Sequence, residues 1–153
     1  MNTNPSSNQL TPPQLALCIA WAIVVALGGG ILCGWLMVRF GTFGAIGLML
    51  LGILAGMVAW QITRRGNRSV GWMLVAAVLV ALVLANMVWL RYANFILGDN
   101  AKTWLEAAQQ CFQLFNTNPQ HFFITTVCAG FGAYNAYSSA GSRWHRVYVK
   151  EEE

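Results

Sequence analysis

The sequence predicts an all-α integral membrane protein, with four transmembrane helices in an antiparallel bundle and one amphipathic interfacial helix between the third and the fourth. Three observations carry that expectation. Of the 153 residues, 9% are charged and 57% hydrophobic, where soluble proteins carry roughly 25% charge. Four stretches without a charged side chain each reach the length of about 20 residues that crosses a hydrocarbon core of roughly 30 Å. The basic residues sit in short clusters at the ends of those stretches, where they set orientation in a membrane.

Residues 1–13, MNTNPSSNQLTPP, are polar and uncharged and read as a flexible tail. Pro12 and Pro13 suit the entry of a helix, where a missing N–H costs nothing. The first span is 14–38. It is longer than a signal-peptide core of about 7–15 residues and has no basic segment before it. RFGT at 39–42 breaks the run, 43–63 is the second span, RRGNRS at 64–69 breaks that, and 70–90 is the third. Links so short join antiparallel neighbours, because a spanning helix re-enters from the face at which it left.

Residues 99–116, DNAKTWLEAAQQCFQLFN, are amphipathic. At 100° per residue Ala101, Trp104, Leu105, Ala108, Cys111, Phe112, Leu114 and Phe115 share one half, and Lys102, Thr103, Glu106, Gln109, Gln110 and Gln113 the other. Asp99 or Asn100 is the expected cap, and Glu106 is expected on the solvated face, paired with Lys102. The polar half keeps this helix out of the hydrocarbon. The fourth span, 121–141, has no charge but carries Thr125, Thr126, Tyr134, Asn135, Tyr137, Ser138 and Ser139.

Charge supports four crossings. With both termini cytoplasmic, the inner side holds Arg64, Arg65, Arg68, Arg143, Arg146 and Lys150, and the outer side Arg39, Arg91 and Lys102. Residues 142–153 then form a cytoplasmic tail. Trp35 and Trp89 fall at the outer ends of the spans, and Trp21, Trp60, Trp72 and Trp144 at the inner ends, as an interfacial belt requires.

Small residues recur along each span: Ala22, Ala26, Gly30 and Gly34 in the first, Gly52 and Gly56 in the second, Ala81 in the third, Gly132 and Ala136 in the fourth. In lipid no hydrophobic force presses helices together, so association relies on the close contact such residues permit. Gly28, Gly29 and Gly30 read first as a flat face for a neighbouring helix; their number exceeds what one contact needs, which leaves a kink or unwound turn as the alternative.

The chemistry of an active site is missing. No Asp, Glu, Lys, Arg or His lies within 14–38, 43–63, 70–90 or 122–141, although buried ionisable groups are the usual functional signal in a membrane. Cys18, Cys33, Cys111 and Cys128 form no CxxC pair and no ligand set with His121 or His145. The expectation is no catalytic residue, no cofactor and no metal. Partners are the lipid bilayer and other membrane subunits or further copies of the chain, without nucleic acid. Thr125, Tyr134 and Asn135 either form interhelical hydrogen bonds or line a polar path.

The stretch 43–92, with its glycine-rich helix, the sequence AGMVAWQITRRGNRSVGW and a plain apolar helix after it, resembles a helical hairpin common in small uncharacterised bacterial membrane proteins. The resemblance implies a bacterial inner membrane and no particular activity. GGGILCGWLMVRFGTFGAIGLMLLG is also similar to the first two helices of the four-span fluoride channels. It departs from them at Ala45, Ile46 and Gly47, where that family needs an asparagine, and the third span lacks their Thr/Phe/Ser string. The functional expectation is a non-enzymatic accessory or scaffold subunit of a membrane assembly. The alternative is a small channel or transporter with a path along the fourth span.

Overall fold

The computed structural model describes residues 10–64, 66–96 and 103–141. Most of the N-terminal tail, the whole C-terminal tail, and Arg65, Arg143 and Arg146 lie outside the described residues. The described chain is all-helical: α1 (Pro12–Val24), a π-helical turn (Val25–Gly29), α2 (Gly30–Phe40), a 3₁₀ turn (Gly41–Ala45), α3 (Ile46–Thr63), α4 (Arg68–Ile96), α5 (Trp104–Thr117) and α6 (Pro119–Gly141).

Helix α1 starts at Pro12 rather than at 14, because both prolines occupy its first turn and Thr11 closes a capping box with Gln14, Thr11 N donating to Gln14 Oε1 at 3.2 Å. Through the π turn α1 continues into α2. Two residues then reverse the chain: Phe40 leaves the helical region at φ −115°, and Gly41 takes φ 61°, ψ −143°, a conformation that L side chains rarely adopt. Gly44 brings the returning backbone against the peptide between Leu36 and Met37. Trp21 Nε1 donates to Ala55 O at 3.2 Å. In one straight helix that pair would lie about 51 Å apart, so α3 runs back antiparallel to α1 and α2.

Two helical stretches are long and apolar enough to cross a membrane, Pro12–Thr63 and Arg68–Tyr92. Four were expected. The difference has two causes. The first stretch holds two of the expected spans, folded back at Gly41, and α6 falls short because Thr125, Thr126, Asn135, Ser138 and Ser139 interrupt its apolar run.

Helix α4 is the centre of the molecule and touches α1, α2, α3, α5 and α6. Asn67 caps its start, Oδ1 accepting from Ser69 N at 2.9 Å, and Asn67 N donates to Ala140 O at 2.8 Å, tying the foot of α4 to the end of α6. Helix α6 leaves Phe123, Val127, Phe131 and Tyr134 exposed.

Helix α5 begins later than expected, at Trp104, and Asp99, Asn100 and Lys102 lie outside the described residues. Its cap is Thr103, in a capping box the sequence spells as TWLE: Thr103 N donates to Glu106 Oε2 at 2.8 Å, and Glu106 N to Thr103 Oγ1 at 3.3 Å. Ala107 and Leu114 are buried against the bundle, while Leu105 and Phe112 are 69% and 89% exposed. The apolar half of α5 is wider than the strip its neighbours cover.

Candidate functional site

Two features of this bundle can do something: its seams of small residues, and a polar-aromatic cluster at the Gly41 end.

The seams join helices that run in the same direction. Along α2 and α4, a methyl group on Gly30 would stand 3.0 Å from Ala81 Cα, and one on Gly34 2.5 Å from Val88 Cβ. Along α3 and α6, Gly52 lies against the backbone of Gly132, and a methyl on Gly56 would stand 3.0 Å from Ala136 Cα. Ala22, Ala26, Ala81 and Ala136 are buried in the same core. The three consecutive glycines divide their work. Gly30 faces α4, Gly29 faces Leu51 of α3, and Gly28 has nothing within 4 Å of where a Cβ would be.

The polar residues of α6 do not converge. Thr125 is fully buried and Tyr134 is 70% exposed, as expected of positions nine residues, and so about 180°, apart on a helix. Thr125 Oγ1 donates to His121 O at 2.9 Å and Asn135 Nδ2 to Phe131 O at 2.8 Å. Both bonds return to the same helix, one turn back, which satisfies each group without a partner helix. Arg64 ends α3 in the left-handed region, φ 49°, its N–H donating to Trp60 O at 2.8 Å; Arg68 starts α4 and is exposed.

At the other end α4 and α6 meet through a buried pair that the sequence reading missed. His121 is 2% exposed and Asn86 4%. His121 Nε2 lies 3.1 Å from Asn86 Oδ1, an arrangement that places the imidazole proton on Nε2. Asn86 Nδ2 donates to Leu82 O at 2.9 Å, and the imidazole stacks on Trp89, ring centres 3.8 Å apart. Asn118 holds the entry of α6, its Oδ1 accepting from His121 N at 3.2 Å. The signal was present: an asparagine in the last turn of one span and a histidine at the first position of an antiparallel neighbour stand at one level.

One turn further, Arg91 lies over aromatic rings, its guanidinium carbon 4.3 Å from the centre of Trp104 and 5.3 Å from that of Tyr92. Tyr92 stacks on Trp35 at 5.8 Å and meets Trp104 edge-on at 6.4 Å. Beside this cluster a cleft of about 320 Å³ opens between α4 and α5, lined by Trp89, Leu90, Gln110, Gln113, Leu114 and Asn118 among others. The amides of Gln110, Gln113 and Asn118, the Trp89 indole and the Thr117 hydroxyl share its wall with Leu90 and Leu114, and that hydroxyl donates to Gln113 O at 3.2 Å, so the cleft suits neutral groups.

Among the described residues no group of three His, Cys, Asp or Glu side chains is placed to hold a metal ion. The four cysteines are free thiols, and burial pushes that of Cys111, on α5, above its ordinary pKa. No family model matches this chain, and no curated protein and no solved structure is significantly similar to it.

Proposed function

We propose that the chain is a non-enzymatic protein of the bacterial inner membrane, crossing it four times with both termini in the cytoplasm and serving as an accessory or scaffold subunit of a larger assembly. The observation that carries this reading is the distribution of apolar surface. Ile23, Leu32, Leu54, Leu79, Val83 and Phe131, from five different helices, are all exposed, whereas soluble monomers rarely expose large contiguous apolar patches. Their exposure suits lipid contact, and α5, with Leu105 and Phe112 outward and Glu106 and Gln109 on its polar side, suits the interface.

A scaffold role is favoured over catalysis by how the polar groups are used. Glu106 caps a helix, His121 is held between an amide and an indole, and the hydroxyl and amide of Thr125 and Asn135 are bonded within their own helix. Alkaline-phosphatase fusions after Asn100 should be active and fusions after Val149 inactive; an active C-terminal fusion removes the fourth crossing. Reconstituted protein should conduct no ion above the leak of empty liposomes. Steady conductance abolished by Asn135→Ala would replace the scaffold with a channel or transporter. Copurification in mild detergent then identifies the assembly.

A further inference from the structure

Arg91 presents an unmet demand. Its Nε–H is buried and has no hydrogen-bond acceptor among the described residues, and a buried donor without an acceptor costs about 1–3 kcal/mol. The one carboxylate among the described residues, Glu106, accepts from Thr103 N in the α5 cap. The rings under the guanidinium fix its position and attract its charge, but they accept no hydrogen bond in its plane. What satisfies an unpaired guanidinium N–H is an anion, best one with two or more oxygens taken in a bidentate geometry.

The surroundings narrow the choice of anion. Arg91 follows directly on the apolar part of α4, one residue beyond the expected span 70–90, at the level of Trp35 and Trp104, which are each 47% exposed. In a bilayer this is headgroup depth, where Trp and Tyr gather. On the same helix as Trp104, Leu105 and Phe112 face outward, so the helix that carries part of the platform also presents apolar surface. A ligand with a phosphate at one end and hydrocarbon at the other matches both halves.

We propose that Arg91, on its platform of Tyr92 and Trp104, binds the headgroup phosphate of a phospholipid, whose acyl chains lie along Leu105 and Phe112. The site rests on the membrane-spanning reading above and adds a specific lipid to it. Nε is covered in the lipid-free chain, so binding includes a side-chain rearrangement that opens it; the phosphate then accepts from Arg91 Nε and one Nη, and no covalent step is involved.

The test is native mass spectrometry of the full chain released from micelles doped with dioleoyl phosphatidylglycerol or with dioleoylglycerol. The wild type should retain the phospholipid, not the diacylglycerol, with retention about tenfold weaker in Arg91→Gln, as loss of one charge-assisted pair predicts. Arg91→Lys should fall between the two, and Arg39→Gln, an exposed arginine at the same end of the bundle, should match the wild type. Trp104→Leu, a second variant at a half-exposed position, should weaken retention by more than any change in unfolding temperature accounts for. Equal retention by Arg91→Gln overturns the proposal, as does equal retention of the diacylglycerol. Displacement of the lipid by an equal concentration of inorganic phosphate makes this a free-phosphate site and overturns the lipid assignment. Alkaline carbonate separates the two levels: release of the chain from membranes ends both readings, whereas a chain that stays and binds without Arg91 ends only this one.

Discussion

The α3–α6 seam and the Gly41 end of α4 each hold α6 in the bundle, by opposite means. At the seam, Gly52 and Gly132 bring backbone onto backbone, and attraction comes from many weak dispersion contacts that only the absence of side chains allows. At the Gly41 end the side chains are large and polar: an imidazole on an indole, an amide between two partners, a guanidinium over two rings. The seam has no tolerance for volume and little need for chemical identity beyond smallness. The end cluster depends on which atoms donate and accept.

The largest expected effect lies in the seam. Gly52→Leu should destabilise the bundle by at least the roughly 1–3 kcal/mol typical of overpacking, read as thermal unfolding in detergent, because what it meets is backbone and cannot rotate away. Gly28→Ala, where nothing stands within 4 Å, should be neutral or slightly stabilising. Equal losses at both positions would erase the distinction between seam and surface.

Next is the buried pair. Asn86→Ala and His121→Ala should each cost about 0.6–2 kcal/mol, with a coupling in the double variant of the size seen for interhelical bonds in membranes. A coupling of zero would mean that the end is held by ring stacking alone. Removing the cap of α5 with Thr103→Ala should cost about 1 kcal/mol locally, visible as faster amide exchange in α5 with no change in α3 or α6.

The smallest effect concerns Arg64, the one non-glycine residue with positive φ among those described. Arg64→Gly should stabilise by about 0.4–1 kcal/mol by removing left-handed strain, seen as a raised unfolding temperature. A loss instead would show that the arginine side chain has a partner worth more than the strain.

Much of this was legible beforehand. Uncharged runs and the breaks at RFGT and RRGNRS set where helices lie, because a composition with so little charge leaves few places for a chain to turn. Smallness at Gly52, Gly56, Gly132 and Ala136 was visible too, but not which stripe meets which. Short links imply antiparallel neighbours, whereas the closest approaches join the parallel pairs, α2 with α4 and α3 with α6. Pairing depends on the relative rotation of whole helices, which no single stripe encodes. The α5 cap was written in the sequence as TWLE and passed over in favour of Asp99 and Asn100. Asn86 and His121 stand 35 residues apart in the chain, and only their antiparallel level relates them.

The π turn has a consequence for how this chain tolerates insertion and deletion. The buried positions Cys18 and Met37 are 19 residue steps apart, and five turns of ideal α-helix take about 18. A strict four-residue repeat of small side chains drifts by about 40° per step on such a helix; one wide turn takes up most of the excess, so that both ends of the helix keep one inward stripe. Gly28, outward and untouched, is the spare residue. Deleting it should close the turn into plain α-helix and leave the stripe in phase. Deleting Leu50, in a helix with no such slack, swings Gly52 and Gly56 about 100° away from α6 and should abolish folding. The first rod is built to lose a residue, and the second is not.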